Sequence, residues 1–250
     1  MKSLETWSRP YHTSGGGDAL LFYVVYGPIP QDFSISGSKY RCDSIPEELV
    51  ISSYGPDSDP DVVESFRSGY LWDHFQQANM TAADDVAKQS SCLVIKGTIP
   101  DPPDLNYLRN VVGFITWSLD VGSVGIFDPQ MFKWWTPSEW RDSIFEPAAA
   151  VPTHHVTILV STEKDGSEWF HTRGMRKFGR PDLSAHGVSR ELRDGVIDIL
   201  NRFIEFQALG GIIPEGQEIK LNSLPAGMTC AHRGSLDDPD FNNVHVEIKW

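Results

Sequence analysis

Glu168-Trp-Phe-His-Thr-Arg-Gly-Met-Arg-Lys-Phe-Gly-Arg-Pro-Asp182 joins a strand pattern to a pair of glycines and a cluster of charged side chains. It follows Lys164-Asp165-Gly166, and an Asp-Gly pair is what a tight hairpin favours, so residues 155–161 and 167–173 read as two joined strands. Gly174 and Gly179 then let the backbone bend sharply. A short extended piece at 183–185 returns the chain, and Ser189 caps the longest helical pattern. There Leu192, Val196, Ile199, Leu200, Phe203 and Ile204 form a wide apolar face, closed by Gly210-Gly211. Residues 218–221, 229–233 and 244–249 supply further strands. In the last, Val244, Val246 and Ile248 alternate with His245, Glu247 and Lys249, so one face is core and one is wet.

The first half has the same grammar. Residues 18–26 (DALLFYVVY) form a buried strand, and 32–36 and 49–52 are weaker strand candidates. Asp59-Pro60 opens a helix that runs to about Gln77, and a second short helix covers 82–89. Residues 92–99 and 124–127 are strands flanking a helix with Leu105, Leu108, Val112, Ile115 and Leu119 at helical spacing, a βαβ unit or its split variant. Thr136-Pro137-Ser138-Glu139 is a capping box. The expected class is α+β: mixed or antiparallel sheets with helices on one face, and two ferredoxin-like halves as one arrangement that fits. The expected organisation is a flexible lead-in at 1–17, an N-terminal half at 18–150 and a C-terminal half at 151–250.

Composition narrows the function classes. The 250 residues carry 21 basic and 34 acidic side chains, a net charge of −13. That excess argues against nucleic acid and anionic membrane and suits a basic protein partner. Three scattered cysteines, Cys42, Cys92 and Cys230, fit buried thiols in a reducing compartment. No run approaches the ~18 apolar residues of a membrane span, and 1–17 lacks the apolar centre of a signal peptide. A soluble, cytoplasmic protein is expected. No cofactor fingerprint is present.

Thr172-Arg173-Gly174-Met175 followed by Phe178-Gly179-Arg180-Pro181-Asp182-Leu183 resembles the signature T-x-G-[LM]-x-x-F-G-x-P-[DE]-[IL] of a family of uncharacterised bacterial proteins bearing a domain of unknown function. The resemblance spans residues 90–250 at most, and only that dozen is specific. It implies a cytosolic bacterial α+β protein and supplies neither an activity nor catalytic residues.

On a strand, His171 and Arg173 project together, and Arg180 and Asp182 flank Pro181 on the return. Arginines beside a histidine suit a carboxylate or phosphate. One expectation is therefore a small-anion site at Arg173, Arg180 and Asp182 with His171 as acid or base. Its counterpart is a set of structural ion pairs supporting the bend. Trp134 and Trp135 are adjacent, so on a strand one must turn from the core, which makes this pair a candidate interface for a protein partner or self-association. Cys230, His232, Asp237, Asp238, Asp240 and His245 do not match a metal-site spacing, and no metal is expected. The leading expectation is a non-catalytic protein that binds a partner; the alternative is an enzyme acting on a small anion.

Overall fold

Strand β1 (Ala19–Tyr26) is apolar at almost every position, the pattern of a strand covered on both faces. The computed structural model of the chain describes residues 4–250, which divide into two compact units, one of residues up to 8 with 20–99 and 104–150, the other of 9–19, 100–103 and 151–250. In the first unit β1 is followed by α1 (Gly37–Tyr40), β2 (Leu49–Tyr54), α2 (Pro60–Ser65), α3 (Tyr70–Ala78), α4 (Met80–Ala87), β3 (Cys92–Ile99), α5 (Asn106–Asp120), β4 (Gly125–Asp128), β5 (Lys133–Trp135) and α6 (Pro137–Trp140). The sheet order is β2-β3-β1-β4-β5, so β1 lies between the strands that flank α5, the split form of the βαβ unit.

Both faces of this sheet are covered. Val24 and Tyr26 share a cluster with Trp72 and Phe75 of α3 and Ala83 and Val86 of α4. Tyr23, on the opposite face, meets Trp140 of α6 edge-on at 5.7 Å. The class is α+β, as expected; on this first sheet helices lie on both faces rather than one, and that covering also buries the tryptophan expected at the surface. Trp134 packs at 4.8 Å on Phe127 and 5.2 Å on Phe75, while Trp135 turns to the other side against Trp140. They are only 6% and 2% exposed. Adjacent tryptophans do alternate, but here each face is a core.

The second unit holds β6 (Thr157–Thr162), β7 (Glu168–Arg173), β8 (Asp182–Val188), α7 (Arg193–Ala208), β9 (Thr229–Arg233) and β10 (His245–Lys249). Its sheet order is β6-β7-β8-β10-β9, with β6-β7-β8 an antiparallel meander and β10 parallel to β8. Parallel pairing needs a crossover, and α7 lies in that connection. The two sheets differ in order and connection, so they are not a repeated ferredoxin-like half.

Smaller departures have local causes. The helix read across 60–77 is broken where Gly69 takes φ +74. Residues 32–36 form no strand, and 218–221 contributes a single bridge, Glu218 to Thr229. The described part of the lead-in is tied down. Trp7 donates its indole N–H to Ala148 O (2.8 Å) in the first unit. Arg9 donates to the carbonyls of Ala208, Pro102 and Phe178 in the second.

Candidate functional site

The arginine expected to grip an anion is consumed by backbone. Arg180 is 2% exposed, and its guanidinium donates to the carbonyls of Gly211 (3.1 Å), Gly210 (2.9 Å) and Gly179 (2.9 Å). Those first two carbonyls belong to the turn just past α7, so Arg180 ties that turn to the start of β8. A planar fork with its donors committed has little left for a ligand. Asp182 is equally internal: it accepts from Thr172 Oγ1 (2.9 Å), Asn243 Nδ2 (2.8 Å) and Met175 N (3.3 Å). Burial nonetheless pushes its carboxyl up to about 6 against the pull of those donors. Arg173 donates to the carbonyl of Asp240. The structure therefore does not gather Arg173, Arg180 and Asp182 around an open space.

Gly15 and Gly16 cradle a carboxylate of the same unit, that of Asp101. The N–H groups of Gly15 and Gly16 point at Asp101 Oδ2 (2.9 and 3.3 Å), while Arg180 Nη1 and His12 Nε2 stand 3.5 Å from its other oxygen. Burial raises that carboxyl, but Gly15 N–H, Arg180, His12 and Gly16 N–H outweigh it and hold Asp101 below the usual range.

His171 lies on the sheet face turned away from Phe170, within a run of rings. Trp169 stacks on His171 at 4.0 Å and on His186 at 4.9 Å; Phe241 meets His171 edge-on and stacks on His245 at 4.1 Å. Strand alternation and the β7–β8 and β8–β10 registers bring these side chains together, with Phe241 folding over from the 234–244 loop. His171 is 7% exposed, and its Nδ1 has no hydrogen-bond partner among the described residues. Burial and the Arg173 charge push its pKa down to about 4. The imidazole is thus neutral at pH 7, a weak base flanked by Trp169 and Phe241. The sequence showed the alternation of Trp169 and His171, but not the ring that the loop brings over them.

Cys42, Cys92 and Cys230 are buried free thiols, and burial pushes each up to about 11, which keeps them protonated at neutral pH. Cys230 with His232 therefore lacks a ready thiolate; His232 uses its ring on Ile213 O (2.8 Å). Among the described residues no group of three or more His, Cys, Asp or Glu is placed to hold a metal ion. None of their helices is long and apolar enough to cross a membrane.

An open surface lies elsewhere, on the helix pair of the first unit. Asp73, Gln76 and Gln77 on α3 and Met80, Ala83 and Asp84 on α4 line a shallow groove of about 530 Å³. Each trio is spaced i, i+3, i+4, so each is one helix face. The inward faces carry Trp72, Phe75, Ala83 and Val86, so Ala83 is the buried floor of the groove and the other five residues are its walls. Tyr70, one turn before Asp73, is 77% exposed and Met80 is 71% exposed. No basic side chain among the described residues pairs with Asp73 or Asp84. The spacing was legible in the sequence; its outward direction depended on which face Trp72 and Phe75 would claim.

No family model matches the chain, and neither a curated protein nor a solved structure matches it.

Proposed function

We propose that this protein is a non-catalytic binding protein whose partner contributes a basic helical segment to the α3–α4 groove. The observation that carries the reading is the exposure of Tyr70 and Met80 beside Asp73 and Asp84. Large apolar side chains left open next to unpaired carboxylates are what a basic amphipathic helix complements, its apolar residue on Met80 and its lysines or arginines on the rim. The net charge of −13 supports the same polarity of partner by steering its approach. We take the cytoplasm as the compartment, since three cysteines without a disulfide suit a reducing environment.

Anisotropy of a labelled lysine-rich helical peptide bearing leucines on one face tests this, with a glutamate-rich peptide of the same apolar pattern as control. The basic peptide binds, and binding weakens as salt rises. Reversing both rim charges (Asp73→Lys with Asp84→Lys) weakens it roughly tenfold, about 1.4 kcal/mol. Met80→Ala lowers affinity while leaving the salt dependence in place. Equal affinity for both peptides, or an unchanged affinity after double charge reversal, rejects the reading.

A further inference from the structure

The second unit contains a cavity that the α3–α4 reading does not use. Ile199, Phe203 and Phe206 repeat along α7 at i, i+4 and i+7, a stripe beside the Val196, Leu200 and Ile204 positions that bury fully. The 212–220 segment runs opposite this stripe without filling the space, which leaves about 410 Å³ walled mainly by Ile199, Phe203, Phe206, Ile212 and Ile219. That volume is within the range of small-molecule sites.

The outer wall is pinned. Ile219 N donates to Met228 O (2.8 Å), Cys230 N to Gln217 O (2.9 Å) and Gly216 N to Cys230 O (2.8 Å). The His232 ring adds its bond to Ile213 O, and His232 N donates to Glu215 Oε2 (2.6 Å). These bonds fix the 213–219 segment to β9 and to Met228 just before it, at a distance from the stripe. Phe206 and Ile212 are exposed at the cavity's edge, with Tyr11 against Phe206 at 5.4 Å.

Besides Gln217, the polar side of the lining holds one acid and one base, Glu218 and Lys220, paired at 2.9 Å and well exposed. An exposed pair of this kind contributes little to stability, so both groups are available to a ligand. We propose that this cavity binds an apolar α-amino acid in zwitterionic form, its side chain between the α7 stripe and Ile219, its carboxylate on Lys220 and its ammonium on Glu218. The apolar walls select the side chain, and the two charges together select the head group. A fatty acid or an alkylamine would satisfy only one of them. The site lies within the second unit, so it stands or falls independently of the basic-partner reading.

Calorimetric titration with L-tryptophan, L-phenylalanine and L-leucine tests the assignment, alongside the methyl ester and the N-acetyl form of the best binder. The free amino acid binds most tightly, and each capped form loses affinity by roughly two- to fivefold, the scale of one exposed ion pair. Lys220→Ala abolishes discrimination against the ester only, and Glu218→Ala discrimination against the N-acetyl form only. Ile212→Trp, which fills the cavity from its edge, removes binding while the thermal midpoint stays near wild type; Phe203→Ala, a second variant, shifts preference toward the larger side chain. Absence of binding by all three amino acids overturns the proposal. So does equal affinity for both capped forms, or a folded Ile212→Trp variant that binds as wild type does. A wild-type dimer that Ile212→Trp converts to monomer, with no amino-acid binding, would assign the cavity to self-association instead.

Discussion

Arg180 shows what a single buried charge does when backbone supplies its partners. Carbonyls of Gly179, Gly210 and Gly211 converge on one planar fork, a geometry an ammonium group cannot reproduce. Removing the fork leaves buried carbonyls unsatisfied at about 1–3 kcal/mol each. Arg180→Ala is therefore expected to cost ~3 kcal/mol or more, read from the urea midpoint at unchanged slope. Arg176→Ala loses one exposed bond to Asn242 O and should cost less than about 1 kcal/mol. Similar midpoints for the two variants would contradict the structural role of Arg180. A sequence shows that an arginine stands beside glycines; it does not show how many carbonyls those glycines will aim at it. The same limit applied to Trp134 and Trp135, whose alternation was legible while the covering of both sheet faces was not.

At the scale of elements, local chemistry made much of the fold readable. The Thr136–Glu139 box forms with both its bonds: Thr136 Oγ1 accepts from Glu139 N, and Glu139 Oε2 accepts from Thr136 N. Alternation placed β7 and β10, and the i+3/i+4 spacing placed α5 and α7, because these periods follow directly from backbone geometry. Contacts distant in sequence were hidden, above all the docking of residues 15–17 against the bend at Gly179. Gly17 N donates to Gly179 O at 3.0 Å, and a Cβ on Gly179 would stand 2.0 Å from Gly17 O with φ at +62. Gly166 also has positive φ (+88) but faces open space. Gly166→Ala should then cost about 1 kcal/mol, the conformational part alone, whereas Gly179→Ala adds a backbone collision and should exceed it by ~2 kcal/mol or more. Equal thermal midpoints for the two variants would remove the 15–17 segment from the account of this bend.

For the molecule as a whole, acidification brings two opposed proton linkages into one pH window. Burial lowers His155 well below its ordinary value, His171 to about 4 and His245 in the same direction. The unfolded chain takes up these protons near pH 6.5 while the folded chain does not, so stability falls as pH drops below 6.5. Asp182 acts in the reverse sense. Its folded carboxyl protonates at about 6, before the unfolded one near 3.8, so it adds stability as pH falls through 6. With three histidines against one aspartate, the net slope between pH 7 and pH 5 follows the histidines. Depressed carboxylates such as Asp101 and Asp120 contribute chiefly below that range, near and under their unfolded pKa values. His171→Phe keeps a ring between Trp169 and Phe241 and removes one titration, so its stability should depend less on pH, by up to about 1.4 kcal/mol per pH unit. Urea midpoints of wild type and variant at pH 7, 6 and 5, at concentrations low enough to avoid association, would show this. Low concentration matters because the sequence pI is about 4.9 and self-repulsion vanishes near it. Parallel profiles for the two proteins would mean that His171 takes its proton in the folded state at an ordinary pH, and that water reaches the ring cluster beneath Phe241.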